Sequence, residues 1–146
     1  MNDRVLLKEP EPATLVGIWL DHFRAHIVEL KGNQVRHSLI ESHVGRRHRS
    51  TGGTKLPGKS YVKSFAASEK NAESARREHL DRYYKNVLKS LPAVDQLVIM
   101  GPGVAKTEFQ KTVAKNRRLA AGLRGIVTAK AMTDRQLIAQ VKRYFH

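Results

Sequence analysis

The sequence predicts an α/β protein with one five-stranded mixed sheet flanked by helices, and three observations predict it. Residues 14–42 hold three short apolar segments separated by turn residues. A long amphipathic stretch, Ala66–Leu91, follows a glycine-bearing basic segment. From Asp95 onward, strand-like and helix-like patterns alternate to the C-terminus. With 146 residues, 40% of them hydrophobic, the chain is long enough for one domain with a buried core.

Met1–Ala13 is polar and carries Pro10 and Pro12, so it is expected to be a flexible lead-in to a single domain over 14–146. Thr14–His22 reads as a strand because Leu15, Val16, Ile18, Trp19 and Leu20 favour the pleated backbone. Asp21–Arg24 supplies a turn, and Ala25–Leu30 a second strand built on Ile27, Val28 and Leu30. Lys31-Gly32-Asn33 is a turn signal. Gln34–Ser42 is then a third strand with Val35, Leu39 and Ile40 apolar, so the three strands form an antiparallel meander. Residues 43–65 show no periodicity and are broken by Gly45, Gly52, Gly53, Pro57 and Gly58. A connection of that length is expected to be functional or disordered.

Ala66–Leu91 predicts a helix, with Leu80, Tyr84, Val87, Leu88 and Leu91 on one face and Pro92 ending it. Its first half is polar and charged, which predicts that it projects into solvent. Asp95–Met100 is a continuous apolar run, as a strand buried on both faces requires, and Gly101-Pro102-Gly103 breaks it. Val104–Asn116 predicts a helix through Phe109 and Val113, and Gly125–Ala129 a fifth strand. Thr133 caps a final helix, Asp134–Phe145, whose inner face is Leu137, Ile138, Val141 and Phe145. The order βββ, loop, α, β, α, β, α is that of the ribonuclease H-like architecture.

Composition narrows the function. Cysteine is absent, which excludes disulfides, thiolate metal sites and a cysteine nucleophile, and fits a reducing compartment. The strongest apolar stretches, Thr14–Leu20 and Leu97–Met100, are far shorter than the roughly 20 residues of a membrane span. Met1–Thr14 lacks the apolar stretch of a signal peptide, so a cytoplasmic location is expected. Lys+Arg total 27 against 13 Asp+Glu, a formal net charge of +14. Such an excess repels itself unless a polyanion screens it, and nucleic acid is the commonest such partner. Binding to an anionic membrane surface is disfavoured because the one tryptophan, Trp19, sits in a strand-like segment rather than on a basic amphipathic helix.

The charge concentrates in the breaker-rich segment. No acidic residue lies between Glu41 and Glu69, while Arg46, Arg47, Arg49, Lys55, Lys59 and Lys63 do, with His43 and His48 beside them. Such a run neutralises phosphates and releases counterions, or else forms a solvated surface loop. Gly52 and Gly53 permit a close backbone approach to a ligand. Ser50, Thr51, Thr54 and Ser60 offer hydroxyls, and Tyr61 and Phe65 offer stacking surfaces. The expected RNA-binding set is Arg46, Arg47, His48, Arg49, Lys55, Lys59 and Lys63, around a tip at Gly52 and Gly53.

Four motifs in order carry a family resemblance. They are Gly17-Ile18-Trp19-Leu20-Asp21, Arg47-His48-Arg49-Ser50-Thr51-Gly52-Gly53, Arg76-Arg77-Glu78, and Ile99-Met100-Gly101-Pro102-Gly103-Val104-Ala105-Lys106. From about Thr14 to the C-terminus the chain resembles the central domain of the archaeal and eukaryotic peptide-chain release factors, in a small bacterial single-domain branch with Pelota-like relatives. In the release factors this loop ends in Gly-Gly-Gln and enters the peptidyl-transferase centre, where the glutamine helps place the hydrolytic water. Here Gly52 and Gly53 match the two glycines and Thr54 stands at the glutamine position. The resemblance therefore implies a ribosome- or tRNA-binding protein of the translation machinery, in rescue or release, without efficient ester hydrolysis. Pelota-like relatives also lack the triplet. Lacking a codon-reading domain, the chain is not expected to recognise a stop codon unaided, and no cofactor is expected. Two alternatives stay open: a peptidyl-tRNA hydrolase acting through Gly52, Gly53 and Thr54, and a module that binds a protein partner.

Three further constellations are weaker. Asp21, Glu41 and Asp134 are carboxylates at element ends, as a two-metal nuclease would need, but Asp21 equally suits a turn and Asp134 a helix terminus. His22 and His26 flank a turn as potential neighbours, and without Cys or nearby carboxylates no metal site is expected. Gly101-Pro102-Gly103 with Lys106 resembles a phosphate-binding turn but reads as a tight strand-to-helix connection.

Overall fold

The computed structural model describes residues 11–43 and 65–146, with side chains in the second stretch from Asn71 onward. The chain forms β1 (Thr14–Leu20), β2 (Arg24–Lys31), β3 (Gln34–Glu41), α1 (Phe65–Lys89), β4 (Gln96–Gly101), α2 (Ala105–Ala114), α3 (Arg117–Gly122), β5 (Leu123–Thr128) and α4 (Asp134–Phe145). The sheet has the order β3-β2-β1-β4-β5. β1–β2 and β2–β3 pair antiparallel, whereas β4 pairs parallel with both β1 and β5. This is the expected mixed sheet of five strands.

Local chemistry sets each connection. Asp21 accepts hydrogen bonds at Oδ1 from the backbone N–H groups of Phe23 and Arg24, at 2.8 and 2.9 Å, and so turns β1 into β2. Between β2 and β3 the central turn residues are Gly32 and Asn33, and Gly32 takes φ 60°. A two-residue hairpin turn of type II′ needs a positive φ at that first central position, which glycine adopts without steric cost. The turn fixes the register of β3 on β2, from Lys31 opposite Gln34 to Arg24 opposite Glu41.

Strand alternation divides the core into two layers. On one face Val16, Ile18, Leu20, Ala25, Ile27, Leu97 and Ile99 pack beneath Tyr83, Tyr84 and Val87 of α1, Phe109 and Val113 of α2 and Leu119 of α3. On the other, Trp19, Val28, Leu30, Val98 and Met100 pack beneath Leu137 and Val141 of α4. β1 and β4 are covered on both sides, which is why their sequences are continuously apolar. α4 lies so close to β1 that a Cβ added at Gly17 would meet a methyl of Val141 at 2.4 Å, so the absent side chain is what lets the helix seat.

The structure adds one element and trims others. α3 was not apparent from periodicity, because six residues are too few to display one. Its start is nevertheless marked by Asn116, whose side chain accepts from the Leu119 N–H. β1 stops at Leu20 because Asp21 opens the turn, and α2 stops at Ala114 because Asn116 caps the next helix. No helix among the described residues is long and apolar enough to cross a membrane.

Candidate nucleic-acid interface

The parallel strands β1 and β4 bring their carboxyl ends to one edge of the sheet, and β3 ends at that same edge, since Glu41 lies opposite Arg24 and Leu20 opposite Ala25. In open α/β sheets this edge is where ligands meet the fold. The basic segment leaves from here. Ser42 is buried; its hydroxyl donates to the His22 carbonyl at 2.6 Å and its N–H to the Phe23 carbonyl at 2.9 Å. His43 follows with φ 65°, a left-handed conformation uncommon outside glycine, so the extended strand backbone does not continue through it.

The segment rejoins the fold through α1. The second half of that helix is anchored at the same edge, where the Tyr83 hydroxyl donates to the Asp21 carbonyl at 2.9 Å. The Tyr84 hydroxyl donates to Glu108 Oε1 of α2 at 2.6 Å, and His22 Nε2 hydrogen-bonds the same oxygen at 2.9 Å. Glu108 thereby ties the β1–β2 turn, α1 and α2 into one clamp. Burial, the largest cause, raises the pKa of both phenols well above the ordinary tyrosine value; the Asp21 charge adds to this at Tyr83 and the Glu108 hydrogen bond at Tyr84. Each hydroxyl faces an acceptor oxygen and serves as a donor.

Leu80 is the last described residue on the N-terminal side of Tyr83 to pack against the core. Residues 71–78 are all exposed, and Arg76, Arg77, Arg82 and Lys85 face solvent beside Glu73, Glu78 and Asp81. At the helical rise of about 1.5 Å per residue, Phe65 lies about 27 Å along the helix from Tyr83. The chain runs on from α1 to Asp95, whose N–H donates to the Thr14 carbonyl at the opposite edge. The exposed half of α1 therefore extends past the carboxyl edge as an arm, as the charged first half of the sequence pattern predicts. The sequence-predicted contacts Arg46, Arg47, His48, Arg49, Gly52, Gly53, Thr54, Lys55, Lys59 and Lys63 lie outside the described residues.

The other sequence candidates are resolved by geometry. Asp21 serves its own turn, and Asp21, Glu41 and Asp134 do not converge into one group of ligand atoms among the described residues. At the end of β4, Lys106 Nζ donates to the Gly103 carbonyl at 2.6 Å, which closes the Gly101-Pro102-Gly103 turn onto α2. His22 and His26 part company: His22 joins Glu108, and His26 lies on the opposite face with His37 and Asp134.

That second cluster was not anticipated. His26 Nδ1 and His37 Nε2 are 3.1 Å apart, and Asp134 Oδ1 lies 3.7 and 3.6 Å from them. The Trp19 ring meets His26 edge-on with centroids 5.9 Å apart. The indole is fixed by donation to the carbonyls of Ala129 and Lys130, at 3.0 and 3.1 Å. Burial lowers the pKa of His26, with the His37 charge acting in the same direction and Asp134 opposing it. A signal was present in the sequence. The Gly32-Asn33 turn fixes the hairpin register, which puts His26 opposite Leu39 and His37 two residues away on the same face. Asp134 is distant in sequence, and no hairpin rule reaches it.

No family model matches the chain, and no curated protein matches it at the sequence level. Solved structures do share its fold. A Pelota protein of Thermoplasma acidophilum is similar over 95% of this chain and 35% of its own, with a TM-score of 0.54 and 12% identity. An archaeal translation termination factor is similar over 90% of this chain and 37% of its own, with a TM-score of 0.53 and 20% identity. The chain thus spans little more than a third of the length of these structures, and at these identities the likeness is one of fold.

Proposed function

We propose that the chain is an RNA-binding protein of the translation machinery, which meets the ribosome or tRNA through residues 43–65 and the exposed arm of α1. The observation that carries this reading is the setting of the basic segment. An acid-free run with six Lys and Arg joins the carboxyl edge of the sheet to a solvent-exposed helical arm. The Tyr84–Glu108–His22 clamp and the Tyr83–Asp21 bond hold the base of that arm to the sheet, so the arm itself stands on a fixed foundation. The fold shared with a Pelota protein and an archaeal translation termination factor supports translation as the setting.

In this reading Arg46, Arg47, Arg49, Lys55, Lys59 and Lys63 neutralise phosphates, His48 assists them, and Gly52 and Gly53 form the tip. Thr54 has a short hydroxyl and no amide, so it does not hold an ester and a water together. Ester hydrolysis is accordingly inefficient, and the protein acts by occupancy, as in ribosome rescue.

Sedimentation with ribosomes at two salt concentrations tests the proposal. Binding is expected at low salt and to weaken steeply as salt rises. Replacing Arg47 and Arg49 together by alanine is expected to lower the salt slope by about 2. Failure to bind ribosomes or tRNA at low salt refutes the reading. Peptide release from stalled ribosomes is expected from neither the wild type nor Gly53→Ala. Release by the wild type alone would make the protein a hydrolase.

A further inference from the structure

We propose that His26, His37 and Asp134 form a three-ligand site for a divalent transition-metal ion of the zinc class. The three atoms concerned are His26 Nδ1, His37 Nε2 and Asp134 Oδ1, separated by 3.1, 3.6 and 3.7 Å. A point equidistant from three atoms so spaced lies about 2.0 Å from each, and zinc binds imidazole nitrogen and carboxylate oxygen at about 2.0–2.1 Å. Two alternatives account for part of this arrangement. A hydrogen bond between the rings explains the 3.1 Å contact but leaves Asp134 Oδ1 beyond hydrogen-bonding reach of both nitrogens. The favourable effect of an acid at a helix N-terminus explains why residue 134 is acidic, but not why its oxygen is nearly equidistant from two imidazole nitrogens.

The surroundings suit such a site. The two histidine side chains are largely buried, at 19% and 23% exposure, whereas Asp134 is 63% exposed, so the fourth coordination position opens to solvent. Trp19 backs His26, and the Thr133 capping box fixes the first turn of α4 that carries Asp134. The ligands come from β2, the edge strand β3 and the final helix. An ion would therefore cross-link the sheet edge to α4. Two imidazoles favour zinc, cobalt, nickel or copper and disfavour magnesium and calcium, which take oxygen ligands. The site lies on the face opposite the Glu108 clamp and does not depend on how the protein binds RNA.

The test uses the untagged full chain, stripped with chelator and titrated with Zn2+, and with Co2+ as a spectroscopic reporter. The expected result is one tight Zn2+ per chain, visible-band absorption with Co2+, a rise in melting temperature, and no effect of Mg2+. His37→Gln and Asp134→Asn are each expected to weaken Zn2+ binding by about 100-fold or more, since even outer-shell changes cost 10–100-fold. Asp134 is exposed, and asparagine keeps a polar group at the helix start, so this variant remains informative if His37→Gln does not fold. Absence of stoichiometric Zn2+ binding by the wild type, or tight binding that Asp134→Asn leaves unchanged, overturns the proposal.

Discussion

The two faces of the sheet each carry a polar cluster at their margin, and the clusters differ in what their acceptors are doing. On the α1–α2 face, Glu108 Oε1 receives both the Tyr84 hydroxyl and the His22 ring, and Asp21 Oδ1 receives two backbone N–H groups. Each carboxylate is engaged in holding elements together. On the α4 face, Asp134 Oδ1 stands 3.6 and 3.7 Å from two imidazole nitrogens, outside hydrogen-bonding distance yet facing both. Satisfied acceptors indicate structural cement. An acceptor that faces two imidazole nitrogens without hydrogen-bonding either, although those nitrogens bond each other, leaves room for a third party.

The largest expected effect belongs to the first face. Phe109 is fully buried among both tyrosines and the strands, so Phe109→Ala is expected to destabilise the protein by about 3–5 kcal/mol. A urea midpoint unchanged by that substitution would show that this layer is not the main core. Next comes the clamp itself. Glu108→Ala leaves the Tyr84 hydroxyl and the His22 ring without their shared acceptor, at an expected cost of about 1–3 kcal/mol. It also frees the base of the helical arm, so if the arm meets the ribosome as proposed, that binding is expected to weaken although no cation is lost. Equal stability of wild type and Glu108→Ala would break the distinction between cement and ligand.

How far the sequence revealed this depends on the separation of the partners. β1 and β4 were legible because burial on both faces demands unbroken apolar runs, and α1 because a stripe of Leu80, Tyr84, Val87 and Leu88 recurs at helical spacing. The exposed arm was legible for the converse reason, since its charged residues have nothing to cover. α3 escaped because a single capped turn and a half shows no stripe. The clamp escaped because Glu108 is 86 residues from His22 and 24 from Tyr84, and nothing in a linear pattern predicts that packing of α2 against α1 closes those distances. Asp21 is a residue that the sequence left between two roles, and geometry decides for the turn. A carboxylate at a strand end resembles a catalytic acid until its oxygen is found on two turn amides.

Smaller effects separate the faces further. Thr133→Ala removes the hydroxyl that accepts from the Gln136 N–H in the capping box, and a loss of about 1 kcal/mol is expected in chemical denaturation. The smallest effect is the most discriminating. Asp134→Asn in chelator-stripped protein removes a charge from an exposed group at a helix start, where such charges contribute about 0.3–1 kcal/mol. Asparagine offers the same oxygen in nearly the same place, so the metal-free variant is expected to unfold within that range of the wild type. Were Asp134 a structural carboxylate like Glu108, its neutralisation would cost more, and the loss would be present with or without metal. If it is a ligand, the gap between variant and wild type should be small in stripped protein and should widen as Zn2+ is added, because only the wild type gains stability from the bound ion. A gap that does not respond to Zn2+ would put both carboxylates in the same class and remove the contrast between the two faces.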